Sequence, residues 1–408
     1  MALLRPFRAL RPSTPAAAAR VASVPYDVCS TAEARALAAG NADSFLHVTR
    51  AEIDLPEGTD VHTDEVYALG ARNLRALVER GVLVQEEAPS LYLYRLTWQG
   101  RTQLGIVGAY SVEEYDANRI AKHELTRPDK EADRTKHILT LQAQTGPVFL
   151  MHRPSPALDA LVAEELTRAP LADFVAVDGV AHTLWRVADP QAYVAAFAQL
   201  QTLYVADGHH RSAAASNVRR ARAEAGTLTP DDRAQAFLAV SFPSDQLRIL
   251  PYNRLIHDLG GRSPAAFLEE LAGVGPLERG TSSDPGSTDA VCVFDGAAWH
   301  RLRLTPVKDD PVSRLTPSML QDRVLGPLLG ITDPRRDERI SFVGGIRGAG
   351  ELEQRVRAGE ALLAFSMPPV TTEQLIAVAD AGEIMPPKST WFEPKLRSGL
   401  CVYPLEDV

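Results

Sequence analysis

The chain has 408 residues, which is enough for two or three domains with hydrophobic cores of their own. It carries 43 lysines and arginines against 52 aspartates and glutamates, a formal net charge of −9 at pH 7. No general basic surface is therefore available to bind nucleic acid. No apolar run approaches the roughly 18 residues that span a bilayer, so the sequence predicts neither a nucleic-acid nor a membrane partner.

The cysteines and the N-terminus bear on the compartment. Cys29, Cys292 and Cys401 form no C-x-x-C pair and are odd in number, which is typical of a reducing environment and predicts a cytoplasmic protein. The N-terminus is rich in arginine and has no acid before Asp27, as in transit peptides. Its early prolines disfavour the amphipathic helix that such a peptide needs, and we interpret residues 3–10 as a first strand.

In chain order, the first elements are two helices and a hairpin. Ser30 and Glu33 form a capping box that predicts a helix, and Gly40 can end it. Apolar residues at helical spacing predict a second helix over residues 64–81. The runs 91–96 and 104–110 flank Trp98-Gln99-Gly100-Arg101 and predict a β-hairpin.

A predicted helix over residues 129–144 is followed by alternating strand and helix signals. Strands are expected at 148–151, 174–177, 181–187, 203–206, 237–242 and 248–250, and helices at 190–200 and 211–224. Residues 275–289 have the composition of a loop. Strands near Val291 and Trp299, a helix after Pro317 and a strand–helix unit at 362–365 and 372–381 complete the chain. This mixed order predicts an α/β or α+β fold.

The most informative segment is the strand Leu203-Tyr204-Val205-Ala206 with the turn Asp207-Gly208-His209-His210-Arg211 that follows it. Gly208 can take a positive φ or let a ligand approach the backbone. The first turn of the next helix carries unpaired N–H groups and the positive end of the dipole, and Arg211 adds a fork of donors. The pattern predicts a phosphate-binding turn. The alternative is an ordinary strand-to-helix turn with surface histidines.

The same residues carry a family resemblance. Residues 207–211 resemble the signature of the ParB/sulfiredoxin superfamily, most closely its free serine kinase branch. Lys122-His123-Glu124 and residues 382–390 resemble segments of those kinases in the same chain order. The whole chain also resembles an uncharacterised conserved bacterial family often encoded beside serine-biosynthesis genes. The segments that resemble that family's motifs are 24–28, 123–134, 207–211, 249–254 and 385–395.

The resemblance implies a ParB/sulfiredoxin-like nucleotide-binding core at residues 116–258. An N-terminal α/β region at 1–115 and a C-terminal α/β domain at 259–408, whose last segment returns to the pocket, would flank it. It implies a phosphotransferase that uses ATP or ADP with Mg²⁺ and acts on serine or a phosphoserine-like molecule. The N-terminal region has no counterpart in the kinases and would cover the pocket, bind another substrate or form a homodimer.

The resemblance also implies roles for single residues. His123-Glu124 matches the His-Glu pair whose glutamate is the proposed base, so Glu124 is the candidate that takes the proton of the hydroxyl. Asp207 and His210 join it as catalytic candidates, and Asp207 could hold Mg²⁺. The expected nucleotide-binding residues are Gly208, His209, His210 and Arg211. The expected substrate-binding residues are His123, Lys388, Ser389 and Thr390.

Plainer readings exist for each of these groups. Glu124 could be a solvated charge at a helix start, Asp207 an ordinary turn residue and Lys388 an exposed lysine on an edge strand. Lys130, Asp133 and Arg134 could form a second polar site, although pairing along one helix face is the simpler explanation. Histidine-based metal binding is disfavoured, because His209 and His210 point in different directions on a helix.

The H-E-x-x-H motif is also incomplete, because Arg127 stands where its second histidine would be. The first functional hypothesis is therefore a cytoplasmic kinase for L-serine. The alternatives are a phosphatase acting on phosphoserine and a nucleotide-binding switch without useful chemistry.

Overall fold

The computed structural model describes residues 3–407. The chain forms two compact units. The first comprises the residues up to Leu247 together with those from Pro394 onward, and the second comprises Arg248–Glu393. The division of the chain into domains at residues 115 and 258, which the resemblance implies, stays a prediction. No helix among the described residues is long and apolar enough to cross a membrane.

Before its C-terminal segment, the described part of the first unit forms twelve strands and nine α-helices. The strands are β1 (Leu4–Arg5), β2 (Leu10–Pro12), β3 (Leu83–Gln85), β4 (Tyr92–Trp98), β5 (Arg101–Ser111), β6 (Ile120–Ala121), β7 (Ala143–Gln144), β8 (Val148–His152), β9 (Ala172–Val175), β10 (Ala181–Arg186), β11 (Leu203–Asp207) and β12 (Ala236–Pro243). The helices are α1 (Pro15–Val21), α2 (Thr31–Ala38), α3 (Leu46–Thr49), α4 (Asp64–Glu79), α5 (Val112–Asp116), α6 (Pro128–Leu141), α7 (Pro156–Glu165), α8 (Pro190–Ala198) and α9 (His209–Glu224).

A nine-stranded mixed sheet organises this unit. Its order is β6-β11-β8-β12-β5-β4-β10-β9, and β1 pairs with β5 beside that path. Two pairs are parallel, β6 with β11 and β8 with β12, and the other pairs are antiparallel. Strands from before and after residue 115 thus belong to one sheet. The C-terminal strand Tyr403–Pro404 returns to pair with β7.

Local sequence signals account for several of these elements. The Ser30 hydroxyl accepts from the Glu33 amide while the Glu33 carboxylate accepts from the Ser30 amide, so the predicted capping box starts α2. Gln99 and Gly100 take positive φ in the two-residue turn that joins β4 to β5. The predicted hairpin is therefore confirmed.

The core of the first unit lies where β5, β8, β11 and β12 pack against α8 and α9. Tyr110, Phe197 and Phe237 are fully buried there, and Tyr110 contacts Phe197 edge to face and Phe237 in a tilted pair. Every residue of β8 and β12 is buried. Burial on both faces is typical of central strands covered by helices, and it fixes the strand ends that carry the loops described below.

The second unit has its own antiparallel sheet. Its strands are β13 (Arg248–Leu250), β14 (Tyr252–Ile256), β15 (Leu277–Thr281), β16 (Ala290–Phe294), β17 (Trp299–Arg303), β18 (Ile340–Gly344), β19 (Leu363–Ser366) and β20 (Trp391–Glu393), and its helices are α10 (Pro264–Val274), α11 (Thr316–Leu320), α12 (Gly326–Leu329), α13 (Gly348–Arg357) and α14 (Thr372–Asp380). Six strands form the sheet in the order β15-β17-β16-β19-β14-β18, and β13 pairs with β20. Cys292 is fully buried in β16, as predicted.

The structure corrects two expectations and adds a short helix that the sequence did not predict. Residues 3–10 are not one strand, because β1 ends before Pro6, which has no N–H to donate. The helix α1 begins at Pro15, where a proline at the first helical position costs no hydrogen bond. Residues 275–289 are not wholly loop, because β15 pairs there with β17. The polar and glycine-rich composition of this segment gave no sign of β15, which is an exposed edge strand.

Candidate functional site

Two loops meet at one edge of the large sheet. In the parallel pair β6 and β11, Ile120 lies opposite Leu203 and Ala121 opposite Tyr204. Parallel neighbours end at the same edge, where open sheets place their ligands. The loop after β6 carries His123-Glu124, while Asp207 ends β11 and is joined through Gly208 to His209 at the start of α9. The fold therefore brings together two motifs that are more than 80 residues apart.

Gly208 shapes the turn between β11 and α9. Its φ is +95°, in the left-handed region, and its amide donates to Oδ1 of Asp207 at 2.8 Å. A Cβ at this position would lie 3.1 Å from Cζ of Arg211. The predicted positive φ is present, and the space beside the glycine is filled by Arg211. Glycine is required both by the backbone and by this close approach.

Asp207 is surrounded by positive charge. Its Oδ2 accepts from Nζ of Lys395 at 3.0 Å and lies 4.0 Å from Nη2 of Arg211. Burial raises the pKa of Asp207, but Lys395 and Arg211 outweigh it and hold the pKa well below its usual range. The carboxylate is thus ionised, and the charges of Lys395 and Arg211 compensate its negative charge. Sequence reasoning did not assign a role to Lys395, although this residue ends the resembling segment 385–395.

His123, Glu124 and His209 form a cluster beside Asp207. The ring centres of the two histidines are 4.5 Å apart with perpendicular planes. Nδ1 of His209 lies 3.9 Å from Oε2 of Glu124. His123 and His209 are 1% and 5% exposed, whereas the Glu124 side chain is 41% exposed. The carboxylate therefore lies at the solvent side of two buried imidazoles.

Burial controls the protonation of both imidazoles. It lowers the pKa of His123 to about 4, against the opposing effects of the Asp207 charge and the Val205 backbone. Burial, with the neighbouring His123, also lowers the pKa of His209 well below its ordinary value. Both rings are neutral at pH 7 and each keeps a lone pair.

The start of α9 has two open donors. Within residues 3–407, the backbone amides of His209 and His210 make no hydrogen bond, whereas the Arg211 amide bonds to the Gly208 carbonyl at 2.8 Å. Open amides at the positive end of a helix dipole are the donors that phosphate groups use. The predicted phosphate-binding turn thus has suitable local geometry.

His210 is turned away from the cluster. Its Nε2 accepts from the backbone amide of Arg127 at 3.1 Å, immediately before α6. Burial lowers its pKa, which keeps this nitrogen an acceptor. The bond ties the start of α9 to the start of α6. Its catalytic and nucleotide-binding roles remain predictions.

Arg211 also lines a narrow cleft in the first unit. Arg134 and Tyr26 also line it, with the Arg134 guanidinium 3.9 Å from the centre of the Tyr26 ring. Arg211 also donates to the carbonyl of Pro147. The side chains of Arg134 and Arg211 are each 12% exposed. Two guanidinium groups in one cleft suit an anionic ligand.

Arg134 also pairs with Asp133, whose Oδ2 lies 2.7 Å from its Nη2. Tyr67 donates to the same carboxyl group at 2.5 Å. Asp133 and Arg134 thus form a buried polar cluster beside the cleft, which simple pairing along one helix face did not predict. Residues 24–28 and 123–134, two of the resembling segments, both contribute to this region.

Lys388, Ser389 and Thr390 belong to the second unit. Lys388 has a positive φ of 56°, is exposed and lies 5.4 Å from the Tyr252 ring. The buried Ser389 hydroxyl donates to the Pro386 carbonyl at 2.6 Å, and Thr390 is half-buried. The Ser389 hydroxyl stabilises its own turn. The substrate-binding role of the three residues remains a prediction.

Comparison with solved structures found several similar chains. Free serine kinase in complex with AMP is 14% identical, with 70% of this chain and 86% of that chain covered and a TM-score of 0.35. SbnI with a C-terminal truncation, from Staphylococcus aureus, is 12% identical, with coverage of 73% and 87% and a TM-score of 0.39. A conserved hypothetical protein from Pyrococcus furiosus is 13% identical, with coverage of 73% and 95% and a TM-score of 0.36.

No curated protein matches the chain. Residues 4–321 match the sequence model of a family described as a protein of unknown function, DUF1015. The match covers well over half of the sequence and includes β6, β11 and the loops that follow them. The chain is a member of the DUF1015 family.

Proposed function

We propose that this protein is a nucleotide-dependent phosphotransferase that acts on a small hydroxylated metabolite, with L-serine as the first acceptor to test. The motif resemblance to free serine kinases suggests the acceptor and a ParB/sulfiredoxin-like core. The observation that carries the proposal is the meeting of Glu124 with the turn 207–211 at the ends of two parallel strands. A proton acceptor and a phosphate-binding turn are the two parts that such a reaction needs.

The nucleotide phosphates would bind at the start of α9. The open amides of His209 and His210 and the guanidinium of Arg211 supply the donors. Arg134, which lines the same cleft, adds a second guanidinium group, held in place by Asp133. ATP and ADP both fit this chemistry, because the donors would bind phosphate oxygens and not the base.

Glu124 would accept the proton of the acceptor. The hydroxyl oxygen attacks the terminal phosphorus, a new O–P bond forms, and the bond from phosphorus to the leaving nucleotide oxygen breaks. The hydroxyl proton passes to the Glu124 carboxylate. Because this side chain is 41% exposed, a small molecule can reach it from solvent.

Mg²⁺ is the expected partner of a nucleoside di- or triphosphate. Asp207 suits it poorly as a protein ligand, because Lys395 lies 3.0 Å from one of its oxygens and the Gly208 amide occupies the other. We therefore propose that Mg²⁺ would enter with the phosphates. Asp207 would position Lys395 and Arg211.

The test is incubation of the purified full chain with L-serine, Mg²⁺ and either ATP or ADP, followed by mass spectrometry for phosphoserine. Glu124→Gln should lower turnover by about 10²–10⁴-fold, the usual scale of general acid–base catalysis. Nucleotide affinity should change little, because separate groups bind the phosphates. The matched control is Glu87→Gln, at an exposed glutamate outside the cluster.

Three results would contradict this proposal. Equal turnover of the parent and Glu124→Gln would remove Glu124 as the base. Release of phosphate from phosphoserine without formation of phosphoserine from serine would instead indicate the phosphatase. Nucleotide binding without either reaction would indicate the nucleotide-binding switch. Cytoplasmic location and a homodimer belong to the same proposal and would be checked by fractionation and light scattering.

A further inference from the structure

We propose that His123, Glu124 and His209 bind one divalent transition-metal ion. Each residue offers one ligand atom, and these atoms all lie within 4.8 Å of one another. Among residues 3–407 this is the one group of three or more histidine, cysteine or acidic side chains with such spacing. The proposal goes beyond phosphotransfer and does not depend on it.

The three ligand atoms lie within 4.8 Å of one another, somewhat farther apart than in a formed coordination site. Bonds of about 2.1 Å in tetrahedral geometry place neighbouring ligand atoms about 3.4 Å apart. The observed 3.9 Å between Nδ1 of His209 and Oε2 of Glu124 exceeds this by about half an ångström. Glu124 lies in an irregular loop and is half exposed, so it can move toward the imidazoles without disturbing the sheet.

The buried nitrogens are an independent indication of a ligand. Neither ring nitrogen of His123 has a hydrogen bond of normal geometry to any residue from 3 to 407, and Nε2 of His209 also lacks one. A buried polar atom without a partner costs about 1–3 kcal/mol. A neutral imidazole has one lone pair, so a bound cation would give one nitrogen of each histidine a partner that the protein does not supply.

The ligand set selects the kind of ion. Two neutral imidazoles and one carboxylate suit Zn²⁺, Co²⁺, Fe²⁺ and Mn²⁺, whereas Mg²⁺ prefers oxygen ligands alone. With three protein ligands, a fourth position remains for water or for an oxygen of a substrate. The exposed side of Glu124 shows where that position opens to solvent. One Glu124 oxygen can bind the ion while the other accepts a proton.

The site is not visible in the sequence pattern because it is not built on one helix. The H-E-x-x-H motif places two histidines on one helical face. Here the first histidine follows β6 and the second begins α9, and the parallel pairing of β6 with β11 brings them together. Arg127 prevents an H-E-x-x-H site on a single helix, but it does not prevent a site whose two histidines come from different segments.

The experiment is calorimetric titration of the full chain, freed of metal by a chelator and dialysed, with Zn²⁺ and separately with Mg²⁺. We expect one Zn²⁺ per chain and no comparable binding of Mg²⁺. His123→Gln and His209→Gln should each weaken Zn²⁺ binding by at least about 100-fold, because one of three protein bonds is lost. The control is His47→Gln, whose histidine pairs with Asp54 at 2.8 Å outside the cluster.

Near-UV circular dichroism would verify that each variant is folded. Should a histidine variant unfold, Glu124→Ala, at a half-exposed loop position, provides the same test by weakening Zn²⁺ binding. Absence of stoichiometric Zn²⁺ binding, or equal affinity in the parent and the cluster variants, overturns the metal site. ADP affinity measured with Mg²⁺ and without Zn²⁺ tests the nucleotide proposal separately, so either proposal can fail alone.

Discussion

Replacing Gly208 with alanine tests the geometry of the proposed phosphate-binding turn. An L-residue in the left-handed region costs roughly 1–2 kcal/mol, and Gly208 has a φ of +95°. The new Cβ would also lie 3.1 Å from the Arg211 guanidinium, so Arg211 must move. Weakening its bond to the Pro147 carbonyl adds about 1–2 kcal/mol. We expect Gly208→Ala to lower the free energy of unfolding by about 2–4 kcal/mol.

Gly226 is the matched control for this substitution. Gly226 follows the C-terminal end of the same helix, α9, and has a φ of +69°. A Cβ at this position would have no atom within 4 Å. Gly226→Ala should therefore show the backbone cost alone, about 1–2 kcal/mol. The difference between the two variants measures the contact with Arg211.

Urea denaturation of the two single variants, of Arg211→Ala and of the double variant gives the coupling directly. With Arg211 truncated, Gly208→Ala should cost no more than Gly226→Ala. Equal losses for Gly208→Ala and Gly226→Ala in the parent background would refute the reasoning, because Arg211 would then not pack over the turn.

Two further predictions concern single side chains. Arg211→Ala should weaken ADP binding by about 1.5–3 kcal/mol, the scale of hydrogen bonds to charged groups, and unchanged affinity by calorimetry in a folded variant would remove it from the site. His152 is buried, its Nδ1 bonds to Ser241, and burial lowers its pKa to about 4. Because the unfolded chain takes up this proton near pH 6.5, stability should fall between pH 7 and pH 5 by about 2 kcal/mol from His152 alone. His152→Gln should remove that share, and an identical pH dependence of the parent and the variant in urea titrations would disprove the assignment.

Local signals in the sequence predicted local structure well. The Ser30–Glu33 capping box, the turn at Gln99-Gly100 and the positive φ of Gly208 each follow from a few neighbouring residues. These features depend on backbone preferences and short hydrogen bonds, which are the same in most proteins.

Long-range pairing was not predictable in the same way. The strand β6 has only two residues, too few for any periodicity to show, yet its pairing with β11 sets the position of His123 and Glu124. The partner of Asp207 is Lys395, 188 residues further along. Such contacts depend on where whole strands lie in the sheet, and a single sequence offers no local signal for that.

The charges and the burial of the side chains around Asp207 divide the candidate site into two parts with different chemistry. On one side of Asp207 are the cations Lys395 and Arg211, with Arg134 beyond, where an anion would be stabilised. On the other side are neutral, buried imidazoles next to Glu124, where a cation would be stabilised. An ionised Asp207 serves both parts, because it compensates the cations and favours positive charge near the imidazoles. A substrate that carries both a phosphate group and an oxygen donor could bind the two parts at once. The factor by which Zn²⁺ changes the affinity for ADP would measure the coupling between them.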